Sequence, residues 1–438
     1  MYSTRCCIKV DIAIYTDVTI IDMMDAGQRS TNLRLGTCLP PTHTPCAITG
    51  GKAKMLDFAE DETTVQLRKQ LRGLITESIP RDYLGAFTDD PNDHEIAKEF
   101  CRLLGENRLF ALTWPIEWGG GAAGPWQQTA LREEMWAFHE PRGPQYMGLN
   151  WIGPVIMRYG TPDQQERFLP PIGRGEVDWC QGFSEPEAGS DLPALRTRAT
   201  KVDGGWRIDG QKVWTSYAGM ATWCVLLART GTQESRKDGI SVFLIEMDQP
   251  GIEVRPIPAM IGPHHINEVY FEGAFVKEEN LLGEVNDGWT IINEVLAFER
   301  IGIARYARCE RLLAEAPAAL GELWDELPDS IVQRWATALM NSRRVKLMAY
   351  SVVAAQEQGK LDPADASAYR IAGTLLDQEV AEVLMDVVGA WGLGTTDTAL
   401  TYVRAVEDHW RYAQAATVSS GTVEMNRIAL GRRMVAKK

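Results

Sequence analysis

Three stretches of this chain combine residue types that could do chemistry. The first, Trp179-Cys180-Gln181-Gly182-Phe183-Ser184-Glu185-Pro186-Glu187-Ala188-Gly189-Ser190-Asp191, runs from an apolar, strand-like segment into a turn of small and polar residues. Such a turn exposes backbone N–H groups and hydroxyls that can be aimed at a ligand. The second, Val213-Trp214-Thr215-Ser216, puts an indole and two hydroxyls at the end of a short strand. The third is Phe298-Glu299-Arg300-Ile301-Gly302-Ile303-Ala304, where Glu299 stands among Leu296, Phe298, Ile301 and Ile303. On a helix those neighbours would desolvate its carboxyl and raise its pKa toward that of a usable general base. The plainer alternatives are a solvent-facing glutamate on an amphipathic helix and ordinary core positions for Phe183 and Trp214.

The elements that must position these residues follow from hydrophobic period. From Asp61 the pattern is helical, with Leu67, Leu71, Leu74, Ile75 and Ile79 on one face and Pro80 as the stop. A second helix is predicted near His94 to Leu104, with Ile96, Phe100 and Leu103 inward and Gly105 as its cap, and a third from Gln127 to about His139. Gly160-Thr161-Pro162-Asp163 opens another helix that closes at Leu169-Pro170. The middle of the chain switches to period two. Strands are predicted at 197–202, 206–208, 224–228, 240–246, 252–256 and 269–271, with hairpin signals at Asp203-Gly204-Gly205 and Asp209-Gly210. Closely spaced strands with short turns mean an antiparallel barrel or sandwich, and no Gly-x-Gly-x-x-Gly follows a strand. Helices resume at 291–304, 331–356, 364–389 and 422–435, long and rich in Ala, Leu and Val, as in a four-helix bundle. The expected fold is α+β: an N-terminal helical domain over 55–177, a β-barrel domain over 178–288 and a C-terminal helical bundle over 289–438.

Residues 1–54 differ in composition from the rest of the chain. They lack tryptophan although the chain holds 14, and Thr, Pro and Cys crowd 37–48. They read as a disordered extension upstream of a start at Met55, carrying no function, and the charges interrupting Ile8 to Ile21 argue against a signal peptide. A chain of 438 residues, 45% apolar and 24% charged, can bury a sizeable core. Its net charge of -14 argues against nucleic acid or an anionic membrane as partner. No apolar run approaches the roughly 20 residues of a membrane span. Four of the 8 cysteines fall in the first fifty residues, and Cys101, Cys180, Cys224 and Cys309 are scattered singly. That pattern fits reduced thiols in a cytoplasmic protein. No metal site is expected, and His264-His265 reads as a loop.

The first two stretches resemble the flavin cradle of the acyl-CoA dehydrogenase family, which runs roughly Thr/Ser-Glu-Pro-x-x-Gly-Ser-Asp and then Trp-Ile/Thr-Thr/Ser. Trp114-Pro115-Ile116-Glu117-Trp118-Gly119-Gly120 and Gly160-Thr161-Pro162-Asp163-Gln164-Gln165 are similar to two further family strings, so the resemblance spans Met55 to Lys438. It implies FAD-dependent desaturation of an acyl-CoA thioester to the trans-2-enoyl-CoA. That reaction needs a hydride acceptor, which no side chain provides, and a base at the α-carbon beside donors for the enolate oxygen. By resemblance, Gln181, Phe183 and Ser184 line the flavin's pyrimidine side, and Ser190 reaches the pyrophosphate and the substrate's pantetheine. Trp214 lies beside the dimethylbenzene and reacting face, with Thr215 and Ser216 at the ring's polar edge.

Much of the family carries its base in a C-terminal Tyr-Glu-Gly-Thr. The corresponding string here is Val418-Ser419-Ser420-Gly421-Thr422-Val423-Glu424, with Ser420 in the place of the carboxylate. Isovaleryl- and long-chain acyl-CoA dehydrogenases instead carry a Glu-Arg pair on the first bundle helix, which Glu299-Arg300 matches. The resemblance therefore makes Glu299 the catalytic base and Arg300 a substrate contact. Gly421 borders the substrate and Thr422 the flavin, with Glu424 near the ribityl or pyrophosphate. The family's Arg-x-x-Phe-Gly, which reaches a neighbouring subunit's FAD, is replaced here by the acidic Gly321-Glu322-Leu323-Trp324-Asp325-Glu326. The later Gly-Gly-x-Gly-Tyr survives only as Gly389-Ala390-Trp391-Gly392-Leu393. The chain looks nearest to actinobacterial steroid-degrading members, some of which are mixed tetramers. Two alternatives stay open: a half-site subunit of a hetero-oligomeric dehydrogenase, and a flavin-dependent acyl-CoA oxidase. An electron-transfer flavoprotein is the implied acceptor, and a homo- or hetero-tetramer or dimer the implied assembly.

Overall fold

Asp61 accepts the N–H of Thr64 at 2.7 Å and so caps α1 (Glu62–Ser78), which buries Leu67, Leu71 and Ile75 along one stripe. The computed structural model describes residues 60–301, 304–389, 397–419 and 421–436, without the side chains of 294, 296–301, 397, 398 and 436. The expected extension over 1–54 and the start at Met55 lie outside these residues. So do Ser420, most of the 389–393 string, and the side chains of Glu299 and Arg300.

The N-terminal layer is helical throughout: α2 (Pro91–Glu106), α3 (Pro125–Ala137), α4 (Gln145–Met147), α5 (Gly153–Tyr159) and α6 (Pro162–Gly173), with a π-helical turn at Gly148–Ile152. α2 turns in Ala97, Phe100, Cys101 and Leu104, one residue off the predicted Ile96/Leu103 face. Gly105 is inside the helix and Asn107 is the cap. Glycine is needed there because a Cβ would stand 2.6 Å from the carbonyl oxygen of Arg174. α6 begins with reciprocal hydrogen bonds between Thr161 and Gln164.

The middle is one sheet of β1 (Trp179–Gly182), β2 (Arg198–Val202), β3 (Gly205–Ser216), β4 (Trp223–Arg229), β5 (Ile240–Glu246), β6 (Ile252–Pro256), β7 (Ile266–Lys277) and β8 (Leu281–Leu282). The strand order is β6-β7-β3-β2-β4-β5-β8, with β1 on β4. Most pairs are antiparallel, but β1 and β2 each meet β4 in parallel. One face curls around its own core, where Trp206 of β3 meets Phe243 of β5 at 5.5 Å between ring centroids although the strands are not neighbours. The other face of β4 and β5, through Val225, Leu227, Val242 and Leu244, packs on the helical layer. Burial on both faces is why these two strands read as nearly unbroken apolar runs. Asp203-Gly204 is the hairpin turn that the sequence predicts. Asp209-Gly210 is not a turn. β3 runs through it with a register shift, and Gly210 (φ 152°) passes where a Cβ would meet Thr197 at 2.6 Å.

The C-terminal part holds α7 (Gly288–Ile301), α8 (Arg305–Leu320), α9 (Asp329–Glu357), α10 (Pro363–Gly389), α11 (Asp397–Ala415) and α12 (Val423–Ala436). The bundle consists of α8, α9, α10 and α11, with α12 laid on α10. Two of its four members, α8 and α11, are absent from the sequence-based expectation. α8 is rich in arginine and carries Pro317, and α11 buries Tyr402, Ala405, Val406, His409 and Ala413, a stripe with no leucine.

Candidate active site

β1 ends where the chain turns out of the sheet, and β3 passes beside that exit. The N–H of Val213 donates to the carbonyl of Ser184 at 3.0 Å, which fastens the first two sequence stretches together. Beneath them Lys212 is fully buried, its Nζ donating to Glu185 Oε1 at 2.7 Å and to the Phe183 carbonyl at 3.0 Å. Glu185 also accepts the N–H groups of Arg196 (2.6 Å) and Thr197 (2.9 Å). Neither Lys212 nor the role of Glu185 is singled out by sequence reasoning. A lysine in a period-two strand gives no sign of facing inward.

β3 bulges a second time between Lys212 and Thr215. There Trp214 adopts φ 60° and leaves 59% of its surface exposed. A left-handed backbone on a bulky residue costs free energy and marks functional sites. The bulge turns the indole out of the sheet and drops Thr215 inward. Thr215 Oγ1 and Gln181 Nε2 are both enclosed without a hydrogen-bond partner. Phe183 is buried, Ser184 and Ser216 are half-buried, and Ser190 is exposed beside the Asp191–Arg236 pair (2.5 Å). An exposed, strained indole beside a buried hydroxyl and a buried amide lacking partners is what a planar ligand with polar edges would complete. Three residues on from Trp214, Tyr217 stacks on Phe87 at 4.3 Å, with His265 edge-on to both. Burial pushes the His265 ring down to about 4, and the predicted loop at 264–265 packs in this aromatic cluster.

The remaining sequence candidates form a second group. Gly421 (φ 79°) turns the chain into α12, and Thr422 Oγ1 accepts the N–H of Met425 as its cap at 3.1 Å. Glu424 is exposed in the first turn, 3.8 Å from Arg427. Just before them, the Ser419 carbonyl accepts from Arg370 (2.7 Å), and its hydroxyl lies 3.4 Å from Arg305. Among the described residues no hydrogen bond joins this group to the strand residues. Arg305 is itself a residue that sequence reasoning missed. Its neighbours Cys309, Asp377 and His409 converge from three helices, with Sγ 3.5 Å from the carboxylate and 3.8 Å from Nε2. Asp377 is already paired with Arg305 at 3.1 Å, and burial raises the thiol and lowers the imidazole, so the trio is a polar bundle core.

Asp178, just ahead of β1, offers a pH test. Burial pushes its carboxyl up to about 7; Lys98 opposes this and Glu95 adds to it, and the half-buried His94 ring 3.6 Å away is lowered by its own desolvation. The folded state therefore keeps a proton that the unfolded chain releases near 3.8. The associated stability is complete below that pH and is lost as pH rises toward 7. Asp178→Asn is expected to remove this slope and to stabilise the protein above neutral pH by on the order of 2–4 kcal/mol. Urea titrations across this range check it, and parallel pH profiles for both proteins would refute it.

Comparison with known proteins agrees with this architecture. The acyl-CoA dehydrogenase N-terminal, middle and C-terminal domains match residues 61–176, 180–274 and 286–435. The chain is 32% identical over 396 residues to the acyl-CoA dehydrogenase IpdE1 of Mycolicibacterium smegmatis, covering 84% of this chain and 97% of that protein. This chain therefore belongs to the acyl-CoA dehydrogenase family and is an acyl-CoA-dehydrogenating oxidoreductase. It is also 38% identical over 328 residues to FadE34 of Mycobacterium tuberculosis, but spans only 44% of that longer protein. Among solved structures it resembles the Tcur3481-Tcur3483 steroid ACAD (27% identity, TM-score 0.77, 87% of this chain and 99% of that one). It resembles the ChsE4-ChsE5 complex from Mycobacterium tuberculosis comparably (27%, TM-score 0.75, the same coverage). Members of the family are flavoproteins. No described helix is long and apolar enough to cross a membrane.

Proposed function

We propose that this chain removes the α-proton of an acyl-CoA thioester with Glu299 and yields the trans-2-enoyl-CoA, with FAD as its cofactor. When bound, FAD supplies the acceptor for the hydride of the β-carbon. The observation that carries this is the Trp214 bulge, which leaves an exposed indole beside the unpartnered Thr215 Oγ1 and Gln181 Nε2. Trp214, Phe183, Ser184, Thr215 and Ser216 would hold the ring, Gln181 would donate to its edge, and Ser190, Thr422 and Glu424 would meet the cofactor's tail. Gly421 and Arg300 would position the thioester. An electron-transfer flavoprotein is the proposed acceptor. The described cysteines are all free and buried, in keeping with the cytoplasm as its compartment.

The test is to titrate the FAD-reconstituted protein under argon with straight-chain, branched and steroid-side-chain CoA thioesters. Bleaching of the yellow colour by at least one class is expected, and none from any class would refute the reading. Trp214→Ala separates cofactor binding from folding. Because the indole is exposed, melting should barely change, while FAD affinity falls by about 1–3 kcal/mol, as for loss of a stacking aromatic. Unchanged FAD affinity would remove Trp214 from the cradle.

A second reading has its own support. Met340 and Leu347 on α9, Leu375 on α10, and Met425 and Ile428 on α12 are large apolar side chains left exposed on three helices of the C-terminal part, the kind of surface a partner chain covers. The sequence also lacks the interface arginine of the family in 321–326. In this reading the chain is one half of a hetero-oligomer, as the ChsE4-ChsE5 complex is. FAD retained only after co-expression with an unlike partner chain would favour it.

A further inference from the structure

We infer that the acyl group of the substrate ends in a second, free carboxylate, and that Arg132 on α3 receives it. This rests on the dehydrogenase function proposed above. The starting point is a charge inventory of the interior where α3 meets the bundle. Arg142 is fully buried and forked onto Glu140 (2.6 and 2.8 Å), Arg305 is paired with Asp377 (3.1 Å), and Arg308 with Asp408. On α3 itself, Glu133 is held by Arg68 and the hydroxyls of Tyr306 and Tyr350, and Glu134 by Arg68 and Arg72. Arg132 alone in this set has no acid. Its Nε is enclosed without a partner. Burial, with the Arg142 guanidinium adding to it, pushes it down to about 10. The residue as a whole is half-buried, so the rest of the side chain keeps accessible surface that a ligand could cover.

A line of side chains connects Arg132 to the proposed thioester site. Ser419, two residues from Gly421, lies 3.4 Å from Arg305. Arg305 stands over the Tyr412 ring at 5.3 Å and senses Tyr146 electrostatically, and Arg142 stands over Tyr146 at 5.9 Å. Tyr306, the residue after Arg305, is 6.4 Å from Tyr369, and both phenols act electrostatically on Arg132. An acyl chain entering past Ser419 would therefore run between aromatic faces toward a cation that lacks its counter-ion. A guanidinium offers a planar fork to a carboxylate, and a desolvated one binds it more strongly than water does. A purely aliphatic tail would leave the charge unpaired. The matching class is the CoA thioester of a dicarboxylic acid.

The same chemistry could be met by a small anion from solution, and the experiment separates the two. CoA thioethers, which cannot be desaturated, are prepared with acyl-mimicking chains ending in carboxylate or methyl over a series of equal lengths. Their binding to the FAD-loaded full chain is measured by calorimetry with and without added acetate and phosphate. At one length or more the carboxylate form should bind at least about tenfold more tightly, the scale of a hydrogen-bonded charged group. Added anions should not abolish the preference; Arg132→Met should abolish it and Arg132→Lys retain part of it. Without ligand, Arg132→Met should raise the melting temperature, because it removes an uncompensated buried charge. Equal binding at every length, a preference that Arg132→Met keeps, loss of the preference to acetate or phosphate, or a lowered melting temperature overturns the inference. Bleaching by methyl-ended acyl-CoA thioesters is scored separately and bears only on the dehydrogenase function.

Discussion

Glu299→Gln is expected to leave FAD bound and the fold intact while slowing flavin bleaching by acyl-CoA by about 10²–10⁴-fold, the usual contribution of a positioned general base. The amide keeps the size of the carboxyl and its capacity to accept a hydrogen bond, but it cannot take the α-proton. Glu299 lies on α7, whose earlier residues Ile291, Ile292 and Val295 are buried in the core shared with the helical layer. The proposed role requires its carboxyl to be desolvated, the setting that raises a glutamate toward a useful base. Ser420 is the competing position in sequence, but a hydroxyl needs a base of its own. Among the described side chains, the loop around it meets Arg305 and Arg370, and these are cations. Stopped-flow bleaching under argon checks the expectation. A variant that bleaches at the wild-type rate would move the base elsewhere on the chain, and one that loses its FAD would show Glu299 to be structural.

The parts of this fold that were legible in advance are those where one periodicity holds over a whole element. α1 shows its Leu67, Leu71 and Ile75 stripe, and β5 was bounded at Ile240 and Glu246 from period and turns alone. Legibility failed where the buried face was not aliphatic. α11 packs tyrosine, histidine and alanine inward, and α8 buries Arg305, Tyr306 and Arg308, so neither carries a leucine signal as strong as its packing. It failed again where backbone irregularity did the positioning. Asp209-Gly210 has the composition of a turn but serves as a bulge, and nothing in Val213-Trp214-Thr215 announces the second bulge that turns the indole outward. In the site, the resemblance proposes which residues face the cofactor. It could not name those that hold them, because Lys212 and Arg305 matter through partners distant in sequence.

The largest expected effect on stability lies with one of those supports. Lys212→Met should destabilise the protein by about 3–5 kcal/mol, the usual result of removing one member of a buried ion pair. The Glu185 carboxylate would be left in an interior where its lysine side chain partner is fully enclosed and its own side chain is 6% exposed. Burial alone would raise its pKa, yet Lys212 and the donors from Thr197 and Arg196 hold it below the ordinary glutamate value. Stability from this depressed group is present above the unfolded pKa near 4.5 and is lost as pH falls through the folded value, so the wild type should weaken in acid. In Lys212→Met much of that acid-side slope should vanish, because the carboxyl loses the partner that depressed it. The same ammonium ties Phe183 to the strand that precedes Trp214, so FAD retention should fall together with stability. Pairing Lys212→Met with Glu185→Gln should recover part of the loss, since removing both charges spares the unpaired carboxylate. Denaturant titration with parallel flavin absorbance measures both quantities. A Lys212→Met protein with wild-type stability and full FAD content would mean that the two halves of the cradle are held by their backbone hydrogen bonds and not by this pair.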